Sequence, residues 1–483
     1  MAGYCTDWTG QFHGQALAVV KPRSTDEVAA VLQAAHQYGF VVVPQGGNTG
    51  LVGGGVPSAR NAKPQVVLSM QGMAEVEHID ADAGVVTVQA GAILSQVNTA
   101  LQEHGLAMPI DLGAKDSCTI GGNIATGAGG IHFVAHGPLR GAVLGVEAVL
   151  PNGQVLDLMS QVRKSNTGPD LRALLVGSEG TLAVVTRATI AAVPARRAVA
   201  TAVLAARDYA AVAHIASLAR HTAPEFLYAV EWWDAPGVAG LHPSELGESE
   251  SGRVLEPVRQ ATQAGAFTLL ELAGSNETWV NEALQSICER ALELGHAADV
   301  IMPASHAQRE ALWAAREGIT AACSRRGHVW KYDLSCHSHK DIPALLAAAR
   351  YRLAAAGCVL SDTLDMSARG EKGVAVLGYG HVADLNLHLN VVAPPNATGA
   401  ELAQVAAALE PWVYDSIIAR RGSVSAEHGV GQLKLQAAAN QRGAVANATM
   451  AKIKAALDPE CVLNPGKVLA EPSLGSGIGH RVP

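Results

Sequence analysis

Two short polar stretches in the second half of this 483-residue chain carry the residue types that ligand chemistry needs. The first runs Gly380-His381-Val382-Ala383-Asp384-Leu385-Asn386-Leu387-His388-Leu389-Asn390. On an extended strand Leu385, Leu387 and Leu389 face one way and Asn386, His388 and Asn390 the other. His381 lies an odd number of residues before His388, so a bend near Ala383-Asp384 is required if the two imidazoles are to converge. The second stretch, Ser423 to Gly431, sets Glu427 beside His428 and continues into glycines that suit unusual backbone angles. Two histidines and a carboxylate form an open catalytic metal set, leaving positions for substrate oxygens. On pattern alone, a solvated or core-satisfied role is the commoner fate of such histidines.

Glycine is concentrated in the first half. Pro44-Gln45-Gly46-Gly47-Asn48-Thr49-Gly50-Leu51-Val52-Gly53-Gly54-Gly55 follows an apolar run and could present backbone N–H groups to an anion. It lacks the Gly-Lys-Ser/Thr ending of a nucleotide-binding P-loop and the GxGxxG spacing of a dinucleotide fold, so a surface loop is the competing reading. Further runs are Pro109-Ile110-Asp111-Leu112-Gly113, Ser117 to Gly130 (with Gly121, Gly122, Asn123 and Thr126), and Gly177-Ser178-Glu179-Gly180-Thr181. Several such loops in one domain call for a large, polar ligand that backbone can approach closely, and a dinucleotide answers that description. Arg316 and Thr320, one helical turn apart, share a face. With Lys331 downstream they read, on composition alone, as a surface Arg-Glu pair and an exposed lysine.

The elements that must position these groups divide near residue 195. Before it, a Ser24-capped helix, strands at Phe40–Pro44, Val66–Met70 and Val85–Gln89, and a helix at Ile93–His104 give βαβ followed by α+β texture. Val143–Leu150 and Val155–Leu158 read as a hairpin closed by a type I′ Asn152-Gly153 turn. After it come alanine-rich amphipathic helices at Tyr209–Arg220, Trp279–Leu294, His306–Ala322 and Ile342–Ala356, interspersed with strands. The expected domains are residues 1–195 and 196–470, with 471–483 a disordered tail. Hydrophobic residues make up 49% and charged ones 16%, enough apolar surface for folded domains. A net charge of −8 argues against nucleic acid, and no apolar run is long enough to span a bilayer. Seven scattered cysteines without a CxxC suggest reduced thiols, and with a head lacking signal-peptide character the expected location is cytoplasmic.

PQGGNTGLVGG, DLGAKDSCTIGGNIATGAGG, NTGPDL and GSEGTL closely resemble the FAD-linked D-2-hydroxyacid dehydrogenases of the vanillyl-alcohol oxidase superfamily, over about residues 15 to 468. The resemblance implies an α+β fold: a two-subdomain PCMH-type FAD-binding domain plus an α+β C-terminal substrate domain. It implies FAD held by Pro44, Gly46, Gly47, Asn48, Thr49, Gly50, Gly53, Gly54, Pro109, Asp111, Leu112, Gly113, Ser117, Gly121, Gly122, Asn123, Thr126, Glu179, Gly180 and Asn464, with Lys467 solvated. Asn48 stands where some members carry a flavin-linked histidine, so the FAD is non-covalent. His381, His388 and Glu427 match the ligands of a divalent metal, usually zinc, and His428 the catalytic base that deprotonates the substrate hydroxyl as hydride leaves for the flavin. Arg316, Thr320, Lys331 and Asn390 match substrate contacts, the first three to a distal carboxylate, so the strongest likeness is to the branch that oxidises D-2-hydroxyglutarate. D-Lactate and D-malate are the alternatives within the family; a metallohydrolase, lacking HExxH, is the alternative outside it. An electron-transferring flavoprotein, a quinone or a soluble carrier is compatible as the electron acceptor, and the family is often dimeric. Gly127, His132, Ala383 and Leu385 depart from the family pattern, which expects Asn, Arg, Gly and Gly.

Overall fold

The computed structural model describes residues 1–59, 61–239, 264–362, 364 and 373–470; the expected disordered tail at 471–483 lies outside them. In the first half a three-stranded parallel sheet has the order Ala18–Val20, Gln65–Ser69, Val41–Gln45. A five-stranded antiparallel sheet follows in the order Val76–Asp80, Val85–Gln89, Val184–Ala191, Val143–Val149, Val155–Leu158. The helix Thr25–Tyr38 starts where its capping chemistry predicts: Ser24 Oγ accepts from Glu27 N at 3.2 Å, and Gly39, left-handed at φ 73°, ends it. These elements share one aliphatic core built on residues such as Val28, Leu32, Val86, Val97 and Ile190.

The second half forms one large sheet. Its order is Ala297–Ile301, Ala198–Ala206, Ala266–Gly274, Leu227–Asp234, Val374–His381, Asn386–Ala393, His328–Ser335, with Leu360–Ser361 paired beside Val374–His381. Helices Tyr209–Thr222, Glu277–Glu293 and Asp341–Ala355 bury alanine- and leucine-rich faces in its principal core, and His306–Arg326 packs into a second cluster around Trp233 and Phe267. The chain end then crosses back. Val462 and Leu463 join the first core, and Leu463 bridges Val42 in parallel.

The hairpin at 143–158 is present, but its turn differs from the expected type I′. Gly153 N donates to Leu150 O and Leu150 N to Gln154 O, so three residues, Pro151-Asn152-Gly153, form the loop. Asn152 is not among the positive-φ residues; only Gly153 is left-handed, at φ 82°. Pro151, with its fixed φ, favours a type I turn followed by a left-handed glycine over a type I′ turn.

Candidate active site

The strand Val41–Gln45 delivers its glycine loop against the N-terminus of the helix Ile120–Thr126, capped by Thr119. The loops press so closely that a Cβ on Gly47 would stand 1.8 Å from Ser117 O, and one on Gly46 2.3 Å from Thr119 Oγ1. Around them opens a cavity of about 790 Å³. Every residue expected to hold FAD lines it except Pro109, Asp111 and Asn464. Pro109 is buried, and Asp111 faces an adjoining pocket and pairs with Lys115 at 3.0 Å. Size and backbone exposure fit a dinucleotide: glycine backbone lines the wall where a phosphate needs close N–H groups. Gly127 closes the helix as its left-handed cap, φ 63°, a role that asparagine also tolerates.

Asn464 and Lys467 work behind the cavity. Asn464 Nδ2 donates to Glu179 O at 2.8 Å and Gly54 O at 3.1 Å. Lys467, expected in solvent, is only 3% exposed: its Nζ donates to Gly54 O, Val56 O and Asn464 Oδ1 at 2.7–2.8 Å. The sequence could not reveal that three acceptors wait beneath the loop. Glu179 completes this clamp, its carboxylate accepting from Val430 N at 2.7 Å and Gly431 N at 2.8 Å. The glycine-rich loops are thereby tied to the segment bearing Glu427 and His428.

Burial pushes the Lys467 amine down to about 7 from 10.5. Between those values the unfolded chain holds a proton that the folded chain lacks, so this lysine makes stability rise with pH, and below about 7 its contribution levels off. Denaturant melts of wild type and Lys467→Met between pH 7 and 9 are expected to diverge by about 1 kcal/mol per pH unit in favour of the wild type. Parallel pH curves would contradict this.

Where sequence called for a bend, the chain makes a full reversal. Strands Val374–His381 and Asn386–Ala393 pair antiparallel, with Tyr379 opposite His388. Leu385 takes φ 61° in the turn, in place of the glycine the family pattern expects. The reversal brings both imidazoles to Glu427: His381 Nε2 lies 3.5 Å from its Oε1 and His388 Nε2 3.9 Å from its Oε2. Each ring turns Nδ1 to a second carboxylate, His381 to Glu231 at 2.6 Å and His388 to Asp333 at 3.6 Å. A carboxylate only accepts, so the 2.6 Å contact puts the His381 proton on Nδ1 and leaves Nε2 as ligand.

The donor set fits a divalent cation. The three ligand atoms lie within 4.8 Å of one another, and Glu427 Oε1 is buried without a hydrogen-bond partner. Asp333, His388 and His428 form an overlapping trio. Asp333, however, is fully buried and already accepts from Glu427 N and His428 N, both at 2.9 Å, and from Asn386 Nδ2. It therefore suits orienting rings better than coordination. Burial alone would lower His381, but Glu231 and Glu427 hold it well above the usual histidine range, so a cation binding there would displace the Nε2 proton while Nδ1–H stays on Glu231. Burial would raise Glu427, yet His381 brings it to about 2, while burial keeps His388 neutral, near 3. His428 is likewise lowered by burial, and its Nδ1 stands 3.7 Å from Asp333 Oδ2.

Beside the metal-type cluster a pocket of about 170 Å³ is lined by Arg316, Thr320, Lys331, Asn390, Tyr379 and His428, so all four expected substrate residues meet there. Arg316 is buried rather than on the surface, paired with Glu231 at 2.8 Å and stacked on Tyr379 at 4.8 Å. Thr320 Oγ1 lies 2.7 Å from the Tyr379 hydroxyl. Asn390 Oδ1 and Arg316 Nε are buried without partners. Leu51, Leu112, Gly113, Glu317, Thr320, Glu427 and His428 line both this pocket and the glycine-rich cavity, so the two spaces adjoin.

Sequence reasoning missed Glu231, which joins Arg316 to His381. Its signal was a carboxylate set directly before Trp232-Trp233 in a largely apolar strand, where an unpaired charge is untenable. His132, another of the departures, packs its ring 4.0 Å from that of Tyr228, outside both pockets.

Residues 16–159 match the model of an FAD binding domain, and residues 193–468 that of the C-terminal domain of FAD linked oxidases. The chain is 37% identical over 465 residues to a protein of rice, Oryza sativa subsp. japonica, named probable D-2-hydroxyglutarate dehydrogenase, mitochondrial, covering 96% of this chain and 77% of that one. It is 38% identical over 465 residues to the D-2-hydroxyglutarate dehydrogenase, mitochondrial, of Bos taurus, with coverages of 96% and 78%. An alkyldihydroxyacetonephosphate synthase structure shares the fold at TM-score 0.70 and 18% identity, covering 92% of this chain and 76% of that one. The relatives' mitochondrial names overturn the expected cytoplasmic location. That expectation rested largely on reduced thiols and the lack of a spanning segment, which do not distinguish one reducing compartment from another. Among the described residues no helix is long and apolar enough to cross a membrane. With the glycine-lined cavity and the adjoining polar pocket in place, the two matched domains and the relatives at 37% and 38% identity show that this chain belongs to the FAD-linked D-2-hydroxyacid dehydrogenases.

Proposed function

We propose that the enzyme oxidises D-2-hydroxyglutarate to 2-oxoglutarate with non-covalent FAD and a divalent cation, zinc by its His₂-carboxylate donor set. When bound, FAD supplies the hydride acceptor and the cation a Lewis acid at the substrate oxygens. The observation that carries this reading is the pocket adjoining the flavin cavity, with Arg316 and Lys331 in its lining and His428 in the shared wall. A guanidinium and an ammonium suit a substrate with a second carboxylate. His381, His388 and Glu427 would hold the cation.

His428 takes the hydroxyl proton. Burial favours its neutral form, the form a base needs, and Asp333 keeps the ring oriented. Asn390 offers its unpaired Oδ1 to a substrate hydroxyl or water, and Tyr379, Thr320 and Trp313 line the same pocket. Electrons leave by way of an electron-transferring flavoprotein or a quinone.

Dye reduction should be measured with both enantiomers of 2-hydroxyglutarate, malate and lactate. The expected order of kcat/KM is D-2-hydroxyglutarate first, with L-enantiomers inactive. Preference for D-lactate would refute the dicarboxylate assignment.

A further inference from the structure

The first fourteen residues precede the matched FAD domain, yet they are built into the site. Thr6 bridges His13, and the Asp7 carboxylate accepts from Phe12 N at 2.8 Å and Thr9 N at 3.2 Å, folding the segment into a tight strap. Its anchors lie on the flavin-side loop. Gln45 Nε2 donates to Tyr4 O at 2.9 Å, and Asn48 Nδ2 to Thr6 O at 2.9 Å. The Phe12 ring occupies the space that a Cβ on Gly53 would enter, 2.7 Å from Cδ1.

Trp8 stands at the crest of the strap. It is 54% exposed, unusual for an indole, but is not free: Nε1 donates to Thr49 O at 3.0 Å, and the residue lines the glycine-rich cavity. From there its ring reaches the second half of the molecule, 5.4 Å from Lys331 Nζ. Among the described residues the ammonium's hydrogen bond is a long one, 3.4 Å to Ser324 Oγ, which leaves the indole a share in setting its direction. Burial also lowers the Lys331 pKa, marking an ammonium short of solvation.

We propose that Trp8 is a substrate-positioning residue, held by the strap so that its indole aims the Lys331 ammonium at the distal carboxylate of the substrate. The proposal rests on the dicarboxylate reading above. It makes the N-terminal strap, a wall of the glycine-rich cavity, act on the substrate pocket through Lys331.

The test is steady-state kinetics of FAD-saturated wild type, Trp8→Ala, Trp8→Phe, Lys331→Ala and the Trp8→Ala/Lys331→Ala double variant with D-2-hydroxyglutarate. Trp8→Ala is expected to raise KM about threefold, the effect of an exposed cation–π contact, with kcat within about twofold. Trp8→Phe, which keeps a ring, restores most of the loss. In the Lys331→Ala background the Trp8 change adds nothing. An unchanged KM in Trp8→Ala, a loss confined to kcat, or an equal KM rise with and without Lys331 would overturn the proposal. A wild type unable to turn over D-2-hydroxyglutarate refutes the site reading itself, and the proposal with it.

Discussion

His428→Gln is expected to slow reduction of the flavin by D-2-hydroxyglutarate by about 10²- to 10⁴-fold, the usual contribution of a positioned general base. Glutamine preserves hydrogen-bonding capacity and approximate volume but cannot take up a proton. The backbone of residue 428 stays anchored to Asp333 through its N–H, so the loop keeps its place. The imidazole also stacks on His388 with ring planes 8° apart and 5.6 Å between centroids, a packing role that glutamine partly fills. Rapid-mixing measurement of the flavin band separates the two effects: the reduction rate should collapse while substrate Kd changes less than about tenfold. A reduction rate within a factor of about three of wild type would remove His428 from proton transfer.

The second large effect concerns the metal-type cluster. Glu427→Gln replaces a fully ionised carboxylate by a neutral amide at the point where His381 and His388 converge. Metal content after dialysis against a mild chelator is expected to fall from about one ion per chain to less than about a tenth, with dehydrogenase activity falling in parallel. Glu231→Gln should act more gently, by about 10- to 100-fold in metal affinity, because Glu231 fixes the His381 ring rather than facing the ion. Arg316 would lose its partner in that variant, so substrate KM should rise as well. Undiminished metal in Glu427→Gln would contradict the ligand assignment.

Much of this site was legible because it is written in local pattern. The alternation of Leu387 and Leu389 with His388 and Asn390 is a strand's own period, and the strand Asn386–Ala393 bears it out. The i, i+4 spacing of Arg316 and Thr320 placed both on the pocket side of one helix. Glycine clustering marked the loops that bound the large cavity. What stayed hidden depends on distant partners. Nothing beside Lys467 in sequence discloses Gly54 and Val56, some 410 residues away. The Glu231 pairing spans 150 residues to His381, and Trp8 meets Lys331 only because both halves fold. The hairpin turn was misread for another reason: Asn-Gly is a strong local cue, but Pro151 before it imposes a different geometry.

In the proposed reaction one continuous site joins flavin, metal and 2-hydroxy acid. Its most direct test is the anaerobic absorbance of the FAD-loaded enzyme near about 450 nm, the oxidised-flavin band, on addition of D-2-hydroxyglutarate before and after metal removal. Complete bleaching is expected in the metal-loaded enzyme, little or none after chelation, and recovery when zinc is restored. Flavin that stays yellow in the metal-loaded enzyme, or bleaches equally well without metal, would contradict it.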